Sequence, residues 1–269
     1  MTPTIDTEIW LPSSPSRQRK TRKQRQQKPP LFSRVQFVQD KLDLTWFNSC
    51  IRILEKYFES RILEISEENS GQKKNARQKK EYNVTCLGLG SPETSDNARA
   101  QLAFLLKVCD TLKIDCAKIS IYDPVFTDED KSLLRQFGMC VWDCGSDAKD
   151  THICNIITDE EPTILFMPHC DLALYESVLS ANWSLIRLKN SLFICNHFDD
   201  YIQNNSVRSL KDKAPHLLTI APNITSHPLP TSPDWPSAFN NTSVQFLSKH
   251  KFDALATATE EKKCEEEQE

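Results

Sequence analysis

The chain has 269 residues, a formal net charge of −4, ten cysteines and only five glycines. No basic start leads into an apolar stretch, and no apolar run approaches the roughly 20 residues of a membrane helix, which argues against a secretory signal and a membrane span. The cysteines lack disulfide-like spacing, so the expectation is reduced thiols in a cytoplasmic and/or nuclear protein whose Asn83, Asn182 and Asn223 sequons go unused.

Residues 1–34 read as a disordered basic arm. "RQRKTRKQRQQK" offers almost nothing to bury, and Arg17, Arg19, Lys20, Arg22, Lys23, Arg25 and Lys28 have no acid nearby. Such an arm is either a nuclear-localisation or nucleic-acid-contacting segment or a solvated tail. Residues 35–69 are expected to hold an N-terminal helix. From about Asp40 to Ile65, Leu42, Trp46, Cys50, Ile53, Leu54, Tyr57 and Phe58 recur at helical spacing. Residues 70–81 form a charged linker whose lysines read as a solvated loop rather than an anion site.

Residues 82–250 carry the regular part. "VTCLGLG" is a continuous apolar run ending in glycine, as buried parallel strands do. A helix follows with Leu102, Leu105, Leu106, Cys109 and Leu112 on one stripe. "KISIYDP" is a second strand, and "TDEDKSLLRQFG" a helix in which Thr127 and Asp130 have capping-box spacing and Gly138 fits the position after the last turn. "MCVW" is a third strand, which places Cys140 in the core, and residues 144–162 are an irregular insertion. "TILFM", a helix capped by Asp171, and "SLFIC" complete the alternation. Beyond Cys195 the pattern decays. "FDDYIQNNSVRSLKDK" has helical character, six prolines from Pro215 to Pro236 interrupt any long element, and "NTSVQFLS" reads as a strand returning to the sheet. Residues 251–269 are an acidic disordered tail. The fold class is α/β: an open, mostly parallel, Rossmann-like sheet of five or six strands with helices on both faces, plus the N-terminal helix.

Two of the five glycines, Gly88 and Gly90, fall in one tripeptide after the first strand. A tight strand-to-helix turn needs positive φ or a missing Cβ there. In such sheets ligands bind at the carboxyl edge, where neighbouring connections diverge. The fingerprint is incomplete, because Pro92 or Glu93 stands where a third glycine belongs and Pro92 removes a donor. Asp123, His169 and Asn196 follow the second, fourth and fifth strands. With Gly88, Gly90 and Ser91 they are the candidate ligand-binding set, Asp123 in the place where a ribose hydroxyl is often bound. Singly each has a structural use, as a turn starter or a helix start.

Cys140, Cys144, His152 and Cys154 offer zinc-type ligands but no repeated knuckle, so they read as ordinary thiols and no metal is expected. Cys170 beside His169, and Cys195, are candidate nucleophiles, Cys195 being better explained as core. Gly-x-Ser-x-Gly, a phosphate-cradling lysine loop and His-Glu-x-x-His are all missing from the sequence. No cofactor and no catalytic residue is assigned.

The order "CLGLGS", "NARAQLAFLL", "YDPVFTDEDKSLLRQFG", "LFMPHCDLALYESVLSANW", "LFICN" and "AFNNTSVQF" resembles the sensitivity-to-red-light-reduced (SRR-like) family over about residues 84–246. The resemblance implies an intracellular regulatory protein. It links plant members to light signalling and the circadian clock, and animal members to clock-gene expression and control of haem biosynthesis. It assigns no reaction, and it marks Gly88, Gly90, Asp123, His169 and Asn182 as motif positions only. None of the ten cysteines precedes a proline, so a Cys-Pro haem motif is not present. The rival expectations are a Rossmann-type enzyme binding S-adenosylmethionine or a nucleotide, and a nucleic-acid-associated protein using the Arg17–Lys28 arm. The expected partner is a protein or a small ligand, not a membrane.

Overall fold

Two helices precede the first strand in the computed structural model, which describes residues 28–68, 81–143, 154–159, 161–248 and 251. They are α1 (Leu31–Lys41) and α2 (Leu44–Glu68), where the periodicity predicted one. Leu42 turns out of helical geometry at ψ 122°, and Asp43 then restarts the chain by accepting the Trp46 N–H at 2.6 Å. The basic residues from Arg17 to Arg25, most of the charged linker and nearly all of the acidic tail lie outside the described residues.

The elements that follow are β1 (Asn83–Leu87), α3 (Asp96–Leu112), β2 (Ile119–Tyr122), α4 (Asp128–Gln136), β3 (Cys140–Val141), β4 (Thr163–Met167), α5 (Leu172–Ala181), α6 (Leu185–Lys189) and β5 (Ser191–Asn196). Then come α7 (Phe198–Asn204), α8 (Val207–Lys213), α9 (Pro215–Ile220), β6 (Thr225–Pro228), α10 (Pro236–Phe239) and β7 (Thr242–Phe246). The expected helix signals operate as chemistry. Ser95 accepts the Ala98 N–H, Thr127 and Asp130 form a reciprocal capping box, Asp171 accepts the Leu174 N–H, and Gly138 follows α4 at φ 87°.

Seven strands form one sheet among the described residues, in the order β3-β2-β1-β4-β5-β7-β6. β1 to β5 are parallel, and β7 runs antiparallel to both β5 and β6. β6 escaped the sequence reading because it lies among prolines; it is an edge strand and ends on Pro228, a place where a missing N–H is tolerated. β3 is a two-residue edge strand, so Cys140 is exposed rather than buried as expected.

Alternating strand residues feed two cores. Val84, Cys86, Ile119, Ile121, Ile164, Phe166, Leu192 and Ile194 pack with α1 to α4. Leu165, Met167, Phe193 and Cys195 pack with α5 and α7 to α9. In the first core Trp46, Phe47, Phe104 and Phe239 make ring contacts at 4.8–5.9 Å. Each such buried ring stabilises by roughly 1.5–3 kcal/mol. One consequence positions everything below: α3 leaves β1 toward the first core, whereas α5 leaves β4 toward the second. The connections therefore diverge between β1 and β4, the topological switch point of the sheet.

Candidate functional site

Both glycines of the first turn are left-handed, Gly88 at φ 67° and Gly90 at φ 75°. Gly88 has a second reason to lack a side chain. Cys170, just after β4, presses its sulfur onto the Gly88 Cα from across the switch point, and its thiol donates to the Leu87 carbonyl at 3.4 Å. The Gly90 N–H donates to Asp123 Oδ2 at 2.7 Å, while Asp123 Oδ1 accepts from Val125 N–H at 3.0 Å. Asp123 is buried and ties the first turn to the end of β2. Each of its oxygens keeps room for a further donor.

The rest of the β1–α3 loop is fastened in the same way. Glu93 N–H donates to Asp130 Oδ1 at 2.7 Å, and Thr127 Oγ1 donates to Glu93 Oε2 at 2.7 Å. Thr94 and Ser95 N–H groups return to the Ser91 carbonyl at 3.2 and 2.9 Å. Arg34 and Arg99 donate to the Glu93 carbonyl, and Arg99 also to that of Pro92. Beside this loop lies a hollow of about 330 Å³ whose charged lining is Lys28, Arg34, Glu93 and Glu129, mixed in sign.

His169 is exposed at the end of β4. Partial desolvation lowers its pKa, opposed by hydrogen bonding with the backbone of Ser237 and Ala238, so the β6–β7 connection reaches this edge. Behind it is a polar relay. Tyr175 Oη donates to the Met167 carbonyl at 2.8 Å and accepts the Asn196 N–H at 3.2 Å. Tyr201 Oη donates to the Cys170 carbonyl at 2.8 Å, and Gln245 Nε2 to that of Asn196 at 3.0 Å. Cys170 and Cys195 do not suit the nucleophile role weighed for them. Both thiols are buried, and desolvation pushes them well above the ordinary thiol value, with the charges of Asp123 and Asp171 adding to the rise at Cys170.

Buried polar atoms normally find partners. Three at this edge have none among the described residues: Ser91 Oγ, Asn196 Oδ1 and Thr242 Oγ1. Asn196 and Thr242 are register partners on β5 and β7. Ser91 follows β1, two strands away, roughly 10 Å across the sheet. Ser226 Oγ on β6 is a fourth unpartnered atom. The candidates Gly88, Gly90, Ser91, Asp123, His169 and Asn196 thus all follow parallel strands at one edge. Thr242, Gln245 and the Cys170–Gly88 contact carried no local sequence signal, because each depends on strand pairing between distant segments.

Asn182 has a different role. It is fully buried behind α5, where Oδ1 accepts the Ile157 N–H at 3.0 Å and Nδ2 donates to the carbonyls of Cys154 and Val178. It holds the visible part of the insertion. Cys144 and His152 lie outside the described residues, and no group of three or more metal-ligating side chains forms among the described ones. No described helix is long and apolar enough to cross a membrane.

Comparison with known proteins adds a lineage to this geometry. Residues 50–246 match the SRR1 domain. An SRR1-like protein of Mus musculus is 30% identical over 139 residues, covering 52% of this chain and 53% of the relative. An SRR1-like protein of Drosophila melanogaster is 30% identical over 161 residues, 60% of this chain and 53% of the relative. The protein SENSITIVITY TO RED LIGHT REDUCED 1 of Arabidopsis thaliana is 29% identical over 167 residues, 61% of this chain and 58% of the relative. The chain spans little more than half the length of the curated relatives it matches.

Proposed function

The chain belongs to the SRR1 domain family, and from that premise we propose that it is a regulatory protein that works by binding a small polar ligand at the carboxyl edge of its sheet. The observation that carries this reading is the set of unpartnered buried atoms, Ser91 Oγ, Asn196 Oδ1 and Thr242 Oγ1, at the ends of separate strands. An unmet hydroxyl or amide costs about 1–3 kcal/mol when buried, and a ligand that supplied the missing bonds would recover it. The β3-β2-β1-β4-β5 part of the strand order supports a Rossmann-like description, in which the β1–β4 divergence is the ligand crevice.

The process regulated is read from kinship. The Arabidopsis relative is named for reduced sensitivity to red light. By family resemblance we assign this chain to circadian-clock regulation, coupled to light signalling in the plant members and to control of haem biosynthesis in the animal members, with the cytoplasm and/or nucleus as its compartment. The test is rescue. Cells lacking the protein are given wild type or His169→Ala, and a clock reporter and haem-synthesis transcripts are followed. The reading expects His169→Ala to melt close to wild type and to rescue poorly. Full rescue by a normally folded His169→Ala protein, and by Ser91→Ala, would remove the strand edge from the regulatory role.

A further inference from the structure

We propose that this edge site excludes phosphate and takes a phosphate-free nucleoside that is rich in hydrogen-bond donors and carries positive charge, S-adenosylmethionine being the representative compound. The inference rests on the strand-edge reading above and narrows the chemistry of its ligand.

A phosphate in an α/β crevice is held by free backbone N–H groups of a glycine turn and the helix after it. Here five of those groups, on Gly90, Glu93, Thr94, Ser95 and Ala98, are already engaged. Gly90 N–H donates to Asp123, Glu93 N–H to Asp130, Thr94 and Ser95 N–H to the Ser91 carbonyl, and Ala98 N–H to Ser95 Oγ. Pro92 has no N–H to give, and α3 opens on the carboxylate of Asp96. A phosphate would have to break several of these bonds and then sit against Asp123 and Asp130, both buried on the turn. The guanidiniums that could offset it are engaged. Arg34 and Arg99 donate to the carbonyls of the loop, and Arg99 is ion-paired with Asp96. The antiparallel β7 between β5 and β6 likewise departs from the all-parallel order 3-2-1-4-5-6 of dinucleotide-binding sheets.

What the edge does offer is acceptors. Asn196 Oδ1 is an unpartnered acceptor, Ser91 Oγ and Thr242 Oγ1 are unpartnered hydroxyls, and Asp123 retains lone pairs beyond its two backbone bonds. Ribose hydroxyls and an ammonium supply the matching donors. The roughly 10 Å from the β1 turn to the end of β5 suits a nucleoside with an extended side chain rather than a single small anion. Positive charge on the ligand is favoured by the carboxylates of Asp123 and Asp130, against the opposing charge of Arg34, which donates to a neutral carbonyl, while that of Arg99 is offset by Asp96.

The experiment is a thermal-shift and calorimetric comparison on the full chain. The probes are S-adenosylmethionine, S-adenosylhomocysteine, adenosine, ADP, NAD and haem. The expected result is a rise of several degrees with S-adenosylmethionine at a hundredfold excess over its Kd, a weaker response to S-adenosylhomocysteine, which lacks the sulfonium charge, and to uncharged adenosine, and none to ADP or NAD. Ser91→Ala should weaken binding by about tenfold while leaving the unliganded melting temperature unchanged or higher, since its hydroxyl has no partner to lose. Binding of ADP or NAD that is lost in Ser91→Ala would overturn phosphate exclusion and leave the edge site standing, whereas haem binding lost in the same variant would overturn the nucleoside assignment and leave the edge site standing. No response to any of the six, in wild type or Ser91→Ala, would overturn both this inference and the edge-site reading.

Discussion

Gly88→Ala is the sharpest probe of the switch point, because two separable costs meet there. A Cβ at this position would lie under 3.0 Å from Cys170 Sγ, a separation real Cβ atoms essentially never show, and the backbone sits at φ 67°. The left-handed conformation costs a non-glycine residue about 1–2 kcal/mol. The collision adds about 1–3 kcal/mol, the range for overpacking a core. The sulfur has little room to retreat: Cys170 is buried, its thiol faces the Leu87 carbonyl, and its own carbonyl is held by Tyr201. The expected loss is therefore about 2–5 kcal/mol, or roughly 4–20 °C in melting temperature for a folded unit of this size. Gly90→Ala is the control. It is also left-handed, but its Cβ would meet only Ala98 Cβ, at an ordinary 3.7 Å, so only the conformational part of about 1–2 kcal/mol applies. A double-mutant cycle with Cys170→Ala, measured by urea unfolding, separates the terms: relief of the collision should appear as a coupling of about 1–3 kcal/mol. If Gly88→Ala is no worse than Gly90→Ala, and Cys170→Ala brings no relief, the account of this turn is wrong.

Other perturbations test other parts of the same geometry. Partial desolvation lowers the pKa of His169, and partial desolvation with the Lys56 charge lowers that of His227, so each binds a proton less readily folded than unfolded. Their contribution to stability is then complete above pH 6.5 and lost as pH falls through the lowered folded values; NMR titration should place both below 6.5, and His169→Gln should flatten part of the dependence. Asn182→Ala strands the Ile157 N–H and two carbonyls behind α5 and should cost about 2–4 kcal/mol, with limited proteolysis cutting first near residues 154–159; global unfolding with no early cut would contradict the local role. Iodoacetamide on the native protein should modify Cys140 well before Cys86, Cys170 or Cys195, which peptide mapping will order; early loss of Cys170 would show that the switch point opens in solution.

What the sequence disclosed follows the range of the interactions involved. The Thr127–Asp130 capping box, the Asp171 cap and the left-handed turn at Gly88 and Gly90 are settled within a few residues, and all were legible. Continuous apolar runs also located β1, β4 and β5, which are buried on both faces, while β2 showed as the alternating Ile119-Ser120-Ile121-Tyr122. β6 was not legible, because Thr225-Ser226-His227-Pro228 has no apolar pattern and owes its strand geometry to β7 alone. The break between α1 and α2 was missed because Leu42 continues the apolar periodicity while its backbone leaves the helix. Within the site, the strand-end positions could be read, but their bonding could not. Asp123 looked like a ligand residue; its bond to Gly90 joins segments 33 residues apart and appears only once β1 and β2 are paired.

The boundary of recognisable kinship and the boundary of the folding unit do not coincide. The family match begins at residue 50. Leu31, Val35, Val38, Leu42, Trp46 and Phe47 lie before it, yet all are buried in the first core, and Trp46 Nε1 donates to the Pro230 carbonyl at 2.7 Å. A truncation designed on sequence similarity alone would strip one wall from Phe104 and Phe239 and release the loop that leads to the His169 edge. Inheritance has kept a shorter text than the one the physics requires: transplanting this domain, or expressing it by itself, calls for a cut upstream of Leu31.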